Sequence, residues 1–170
     1  LDNANLLKKL SFPRLTLPVI VVASALLNFS IIFGLFMLFL LVTGNVPGLS
    51  ILAMIPLLAI HVLFAVGLGV ILGVLNVFFR DAGQLSSVLL QFWFWATPIV
   101  YPASILPDWL LPWMNLNPMY HLMQAYQGIF VANQWPQWQN LALFAVLTIG
   151  LALYALRLFL RHAGEIVDEL

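Results

Sequence analysis

The chain has no cysteine, which excludes disulfides, thiolate metal sites and cysteine nucleophiles together. Charge is almost as scarce. Asp, Glu, Lys and Arg make up 7% of the 170 residues, where an average soluble domain carries about 25%. Six basic and six acidic residues cancel, so no global field attracts nucleic acid or another polyanion. The only lysines, Lys8 and Lys9, have no glycine upstream and no Ser or Thr after them, so a phosphate-cradling loop is absent. His61, His121 and His162 are dispersed and lack carboxylates on a common helical face, which removes metal-ligand spacing. What remains is apolar: 64% of the chain, with a mean hydropathy of +1.06. So few polar groups cannot cover a core with a wettable surface, and the solvent must be lipid. The composition predicts an all-α, polytopic integral membrane protein, because a backbone in hydrocarbon must satisfy its own hydrogen bonds.

The basic residues fall in three groups: Lys8, Lys9 and Arg14; Arg80; Arg157 and Arg161. Positive charge beside a span marks the cytoplasmic side, so each basic-free stretch between groups must leave and return. The first stretch divides at the turn cluster Thr43-Gly44-Asn45-Val46-Pro47-Gly48. The predicted order is a cytoplasmic amphipathic helix over 1–14, spans over 15–42, 51–79, 82–100 and 141–160, and a cytoplasmic tail over 161–170. Pro56 is expected to kink the second span. Residues 101–140 form an outer segment holding five prolines, the tryptophans Trp109, Trp113, Trp135 and Trp138, and Asp108 as its only charge. Tryptophans at such sites anchor at the interface. Within the segment, Met119–Val131 reads as a short helix, and Trp109–Val131 as re-entrant or interfacial. The first residue is Leu1, which predicts a piece of a longer chain, and no signal-peptide pattern precedes the first span.

Several residues stand out against this background. Leu6, Leu7 and Leu10 make one apolar edge with Lys8 and Lys9 opposite, and Phe12-Pro13-Arg14 ends that helix. Such a helix either rests on headgroups or docks on a cytoplasmic partner. Arg80-Asp81 reads as a cytoplasmic turn closed by local pairing. Gln84, Val88, Gln91 and Trp95 share a helix face, with Gln91 about 15 Å from Asp81 and so near the midplane. This stripe is either the wall of a hydrated path or a hydrogen-bonded helix interface. Phe92-Trp93-Phe94-Trp95 winds most of the way round a helix, so two of the four meet lipid or neighbouring helices. His61 falls near the outer boundary, where a hydrogen-bonded interfacial role is favoured over a proton relay. Gly69 and Gly73, preceded by Gly67, form a small-residue face for close helix packing. Glu165, Asp168 and Glu169 read as a solvated tail.

Taken in order, these residues resemble a family. Asn5-Leu6-Leu7-Lys8-Lys9 through Phe12-Pro13-Arg14 resembles the segment joining the second and third spans of ABC-2 type permeases that export bacterial polysaccharides. Asn76-Val77-Phe78-Phe79-Arg80-Asp81 is similar to their signature at the cytoplasmic end of the fourth span. Gln91-Phe92-Trp93-Phe94 with Thr97-Pro98-Ile99-Val100-Tyr101-Pro102 resembles the fifth span and its exit, and Leu116-Asn117-Pro118-Met119-Tyr120-His121 the start of the re-entrant segment. The resemblance implies the last four of six spans, a homodimer, and two copies of a separate ABC ATPase that carries the ATP and Mg. This chain itself would bind no cofactor. It implies a lipid-linked glycan as substrate (O-antigen, capsule or teichoic acid) and the bacterial inner membrane as location. On that reading Leu6, Leu7, Lys8, Lys9, Leu10, Phe12 and Arg14 couple to the ATPase, while Gln84, Gln91, Trp95 and Tyr101 line the path. Three alternatives stay open: an ABC-2 exporter of drugs or other lipids, a membrane enzyme acting on lipid-linked sugars, and a non-catalytic scaffold. The enzyme would need acids or a histidine converging in a cavity.

The topology is directly testable in a cysteine-free chain. Single cysteines at Asn45 and Asp108 should react with an impermeant maleimide on intact cells, and those at Lys9 and His162 only after permeabilisation. Labelling of Lys9 and Asn45 from one side would contradict the arrangement.

Overall fold

The structure is a computed structural model describing residues 16–79 and 81–162. Six α-helices follow one another: α1 (Thr16–Thr43), α2 (Met54–Phe78), α3 (Ala82–Ala96), the single turn α4 (Leu111–Met114), α5 (Pro118–Ala132) and α6 (Trp138–His162). Short 3-10 turns precede α2 (Leu49–Ala53) and α4 (Ala103–Ile105). Among the described residues there is no strand. Three helical stretches are long and apolar enough to cross a membrane: Val19–Thr43, Leu49–Phe78 and Trp138–His162. They lie over the stretches read as spans at 15–42, 51–79 and 141–160, with ends that differ by up to four residues. The fourth differs. α3 holds 15 residues, about 22 Å, and stops at Ala96 because Pro98 follows, rather than running to Val100.

Pro56 stands close to a change of helix type. It is the third residue of α2, where its missing N–H falls among the donors that a first turn leaves unpaired. The break expected there lies instead just before it, where the 3-10 turn passes into α2.

α2 and α6 form the main helix pair. Their contact depends on Gly67, which is buried against α6: a Cβ there would lie 3.3 Å from the Ala152 backbone and 3.4 Å from a Leu151 methyl. Gly69 and Gly73 meet nothing within 4 Å, so the close approach belongs to Gly67 and not to the pair expected from spacing. At the other end of α2, the Asn76 side chain accepts the Gly83 N–H at 2.8 Å. It therefore caps α3 from the preceding helix. Asp81, at the N-cap position, makes no side-chain cap. Gly83 leaves room for this, since a Cβ would sit 2.5 Å from the Asn76 oxygen.

The core gathers at the Thr43–Ser50 end of the chain. α5 lays Leu122, Ala125 and Ile129, spaced at i, i+3 and i+7, into a cluster with Ala53, Leu57, Leu141 and Phe144. α1 stands apart, with nearly all its side chains exposed. Its rings Phe33 and Phe36 meet Phe130 of α5 with centroids 6.2 and 5.4 Å apart. Hydroxyls along the helices turn inward: Ser30, Thr43, Ser86 and Ser87 each donate to the carbonyl four residues earlier. This removes unpaired polar groups from an apolar solvent.

The glycine assignment yields a measurement. Gly67→Leu should lower resistance to unfolding in mixed detergent by about 1–3 kcal/mol through overpacking against Ala152. Gly69→Ala and Gly73→Ala should leave it unchanged. Equal losses in all three variants would return the packing role to the whole glycine face.

Candidate functional site

The region where sequence and geometry converge is the junction of α3 with α5. Pro98 pushes the preceding residue out of the α region, and Thr97 accordingly takes φ −106° and ψ 131°. A helix ended this way leaves carbonyls needing donors. The Thr97 hydroxyl donates to the Trp93 carbonyl, and the Tyr101 hydroxyl folds back to the Trp95 carbonyl, both at 2.9 Å. From α5, the Gln127 amide donates to the Pro98 carbonyl at 2.9 Å.

Asn117 joins the two helices. It sits at the N-cap of α5 with Pro118 behind it, the residue pair that a helix start favours. Its side-chain oxygen accepts from the Met119 backbone at 3.1 Å and from the Trp93 indole at 2.9 Å. Its amide nitrogen donates to the Thr97 hydroxyl at 2.9 Å. Trp93 in turn packs edge-on against Phe64, centroids 5.9 Å apart. Phe64 lies ten residues into α2, or about 15 Å along it. The start of α5 is thus held well below the end of α2.

The far end of α5 is held at the loop. Asn133 takes the left-handed conformation at φ 51°, which asparagine tolerates better than most residues. Its side-chain oxygen accepts from the Gly48 N–H at 2.8 Å and from the Ser50 hydroxyl at 2.6 Å. Gly48 is required by the approach, since a Cβ would meet the Asn133 amide at 3.0 Å. α5 therefore climbs from the depth of Phe64 to the level of the Thr43–Ser50 loop.

The candidate residues divide sharply. Gln84, Val88, Gln91 and Trp95 all lie exposed along α3, which has no buried residue. Gln84 and Gln91 make no side-chain hydrogen bond to a described residue. Tyr101 is half-buried and joins the stripe through its bond to Trp95. Within the aromatic run only Trp93 turns toward neighbouring helices, while Phe92, Phe94 and Trp95 stay exposed. His61 is half-buried, 6.1 Å from the Tyr126 ring by centroids. It forms a ring contact with α5 and no hydrogen bond among the described residues. The coupling residues Leu6, Leu7, Lys8, Lys9, Leu10, Phe12 and Arg14, together with Arg80, lie outside the described residues. Asp81 is exposed. Sequence reasoning missed the roles of Asn117, Asn133 and Gln127. The Asn117-Pro118 pair entered the sequence reading only within the family resemblance, which carried nothing of its bonds to Trp93 and Thr97.

These features define an all-α, polytopic membrane protein with a helix held obliquely between its spans. Residues 1–131 match the ABC-2 type transporter family, and the chain belongs to it. It is 32% identical over 171 residues to the O-antigen export system permease protein RfbA of Myxococcus xanthus, covering 99% of this chain and 66% of that protein. It is 33% identical over 130 residues to the protein of the same name from Klebsiella pneumoniae, covering 76% of this chain and 50% of the relative. The chain thus spans one half to about two thirds of the length of these relatives.

The α3–α5 junction predicts a localised defect. Asn117→Ala leaves the Trp93 indole N–H without its acceptor, at about 1–3 kcal/mol, and takes from the Thr97 hydroxyl one of its two bonds. Hydrogen exchange should rise over the first turns of α5 and stay unchanged in α6. Unaltered protection at Met119–Leu122 would show that the junction is held by something else.

Proposed function

We propose that this chain is the membrane-spanning permease part of an ATP-driven exporter that moves a lipid-linked polysaccharide across the bacterial inner membrane. The observation carrying the reading is sequence identity along almost the whole chain to a permease named for O-antigen export. The partner is a separate ABC ATPase, which holds the ATP and Mg. The permease works as a homodimer, and its substrate belongs to the O-antigen, capsule or teichoic-acid class. Both ends of the chain lie in the cytoplasm, so the Thr43–Ser50 loop and residues 101–140 face outward. α5 is then a re-entrant helix rising toward the outer surface. The exposed stripe of Gln84, Gln91 and Trp95, with Tyr101 above it, borders the path. Two amides exchange hydrogen bonds with a hydrated passenger without fixing it by charge.

Because ATP is hydrolysed on another polypeptide, mechanical work must cross a contact at the cytoplasmic face. The N-terminal segment offers an apolar knob of Leu6, Leu7 and Leu10, with Phe12 beside it, oriented by Lys8, Lys9 and Arg14. Arg80-Asp81 supplies only a turn, and an exposed pair of that kind contributes little. Burying one such leucine in a groove contributes roughly 1.5–3 kcal/mol, about tenfold or more in binding. Leu6→Asp and Leu10→Asp should leave the chain in the membrane, lower co-purification of the ATPase and abolish surface glycan. Retained ATPase binding with full export in both variants would refute this assignment.

A further inference from the structure

α5 has a second face. While Leu122, Ala125 and Ile129 enter the core, Gln124 and Gln127 border a cavity of about 280 Å³. Gln134, Trp135, Gln137 and Asn140, from the connection into α6, form the opposite side. This volume lies at the lower limit of small-molecule sites, about 300–1,000 Å³, which suits one saccharide unit. Five primary amides line it beside His121 and Trp135, and no Lys, Arg, Asp or Glu does.

Each primary amide offers two donors and a two-lone-pair acceptor, and the protein uses only part of that capacity. Gln124 spends its nitrogen on the Tyr120 hydroxyl, and Gln127 spends its nitrogen on the Pro98 carbonyl. Asn140 donates to the Gln137 oxygen at 2.9 Å. The oxygens of Gln124, Gln127 and Asn140, the Gln137 nitrogen and the whole Gln134 amide have no hydrogen-bond partner among the described side chains. Adjacent sugar hydroxyls each donate and accept, so a row of mixed amide donors and acceptors matches them. The Trp135 ring, 55% exposed, presents a flat apolar face to the C–H side of a pyranose. The wall carries no Lys or Arg, so a phosphate or carboxylate would have only the His121 imidazole to answer its charge.

We infer that this amide-lined cavity between α5 and the start of α6 is a binding site for a neutral saccharide unit of the exported glycan. The inference rests on the export function proposed above and adds the place and chemical class of contact. Asn133, next to Gln134, fixes the cavity at the level of the Thr43–Ser50 loop. A sugar unit held there occupies the outer end of the proposed path. Hydrogen bonding without charge keeps the hold weak, so successive units exchange as the chain advances.

The test uses the complete permease with its ATPase, in cells and in nanodiscs. Saturation-transfer NMR with methyl α-D-mannopyranoside and methyl β-D-galactopyranoside should give ring-proton signals for the wild type, and glucose 1-phosphate should give weaker ones. Trp135→Ala and the double variant Gln134→Leu/Gln137→Leu should each reduce those signals and surface glycan by roughly tenfold, the scale of one or two lost hydrogen bonds. Trp135→Phe should retain most of both, because the flat face remains. Wild-type surface glycan from the double variant, at normal membrane levels, would overturn the site and leave the export reading intact. Saccharide signals from a wild-type complex that displays no glycan would instead overturn the export reading and leave the site standing.

Discussion

The side chain of Asn117 is the constraint on which the arrangement of the chain depends. It accepts from the Met119 backbone and the Trp93 indole, and it donates to Thr97. With those three bonds made, the broken end of α3 and the start of α5 share one polar knot. Each end thereby finds partners for polar groups that hydrocarbon would leave unpaired. The apolar face of α5 is thereby turned into the core beside Leu57 and Phe144, and its amide face is turned away. Removing the knot would free the start of α5, leaving Gln127 on the Pro98 carbonyl and Asn133 at the far end as its hydrogen-bonded ties.

The spans were legible because a long apolar run in a charge-poor chain has few alternatives to a membrane helix. The extent of α5 was legible too: the observed Pro118–Ala132 differs from the expected Met119–Val131 by one residue at each end. Spacing could not tell which glycine carries a contact. Gly67, Gly69 and Gly73 look alike in sequence, and only the position of Ala152 distinguishes them. Spacing could also not select Trp93 from its aromatic neighbours, because that choice is made by Phe64 on another helix. The tie from Asn133 to Gly48 and Ser50 joins residues more than eighty positions apart. No local pattern encodes such a pairing. The amides around the cavity stood out by no spacing in the sequence, and their convergence exists only once α5 meets α6.

α1 and α3 show a different economy. Each presents nearly all its side chains outward, and neither depends on packing for its helical form, since hydrogen bonds are closed within each segment and stray hydroxyls return to their own backbone. α1 touches α5 through two phenylalanine rings on Phe130. α3 is held at both ends, by Asn76 on one side and by Asn117 with Gln127 on the other. Its broad exposed face is left free of internal obligations.

Between residues 15 and 156 the only formal charges are Arg80, Asp81 and Asp108, and all three fall outside the three long apolar helices. A transmembrane voltage acts on a protein through charges that change depth, at about 2.3 kcal/mol per elementary charge per 100 mV. Within those helices the voltage finds only Arg157 and Arg161, both in the last turns of α6. Tilting or sliding of the remaining helix length in this chain would therefore move little gating charge.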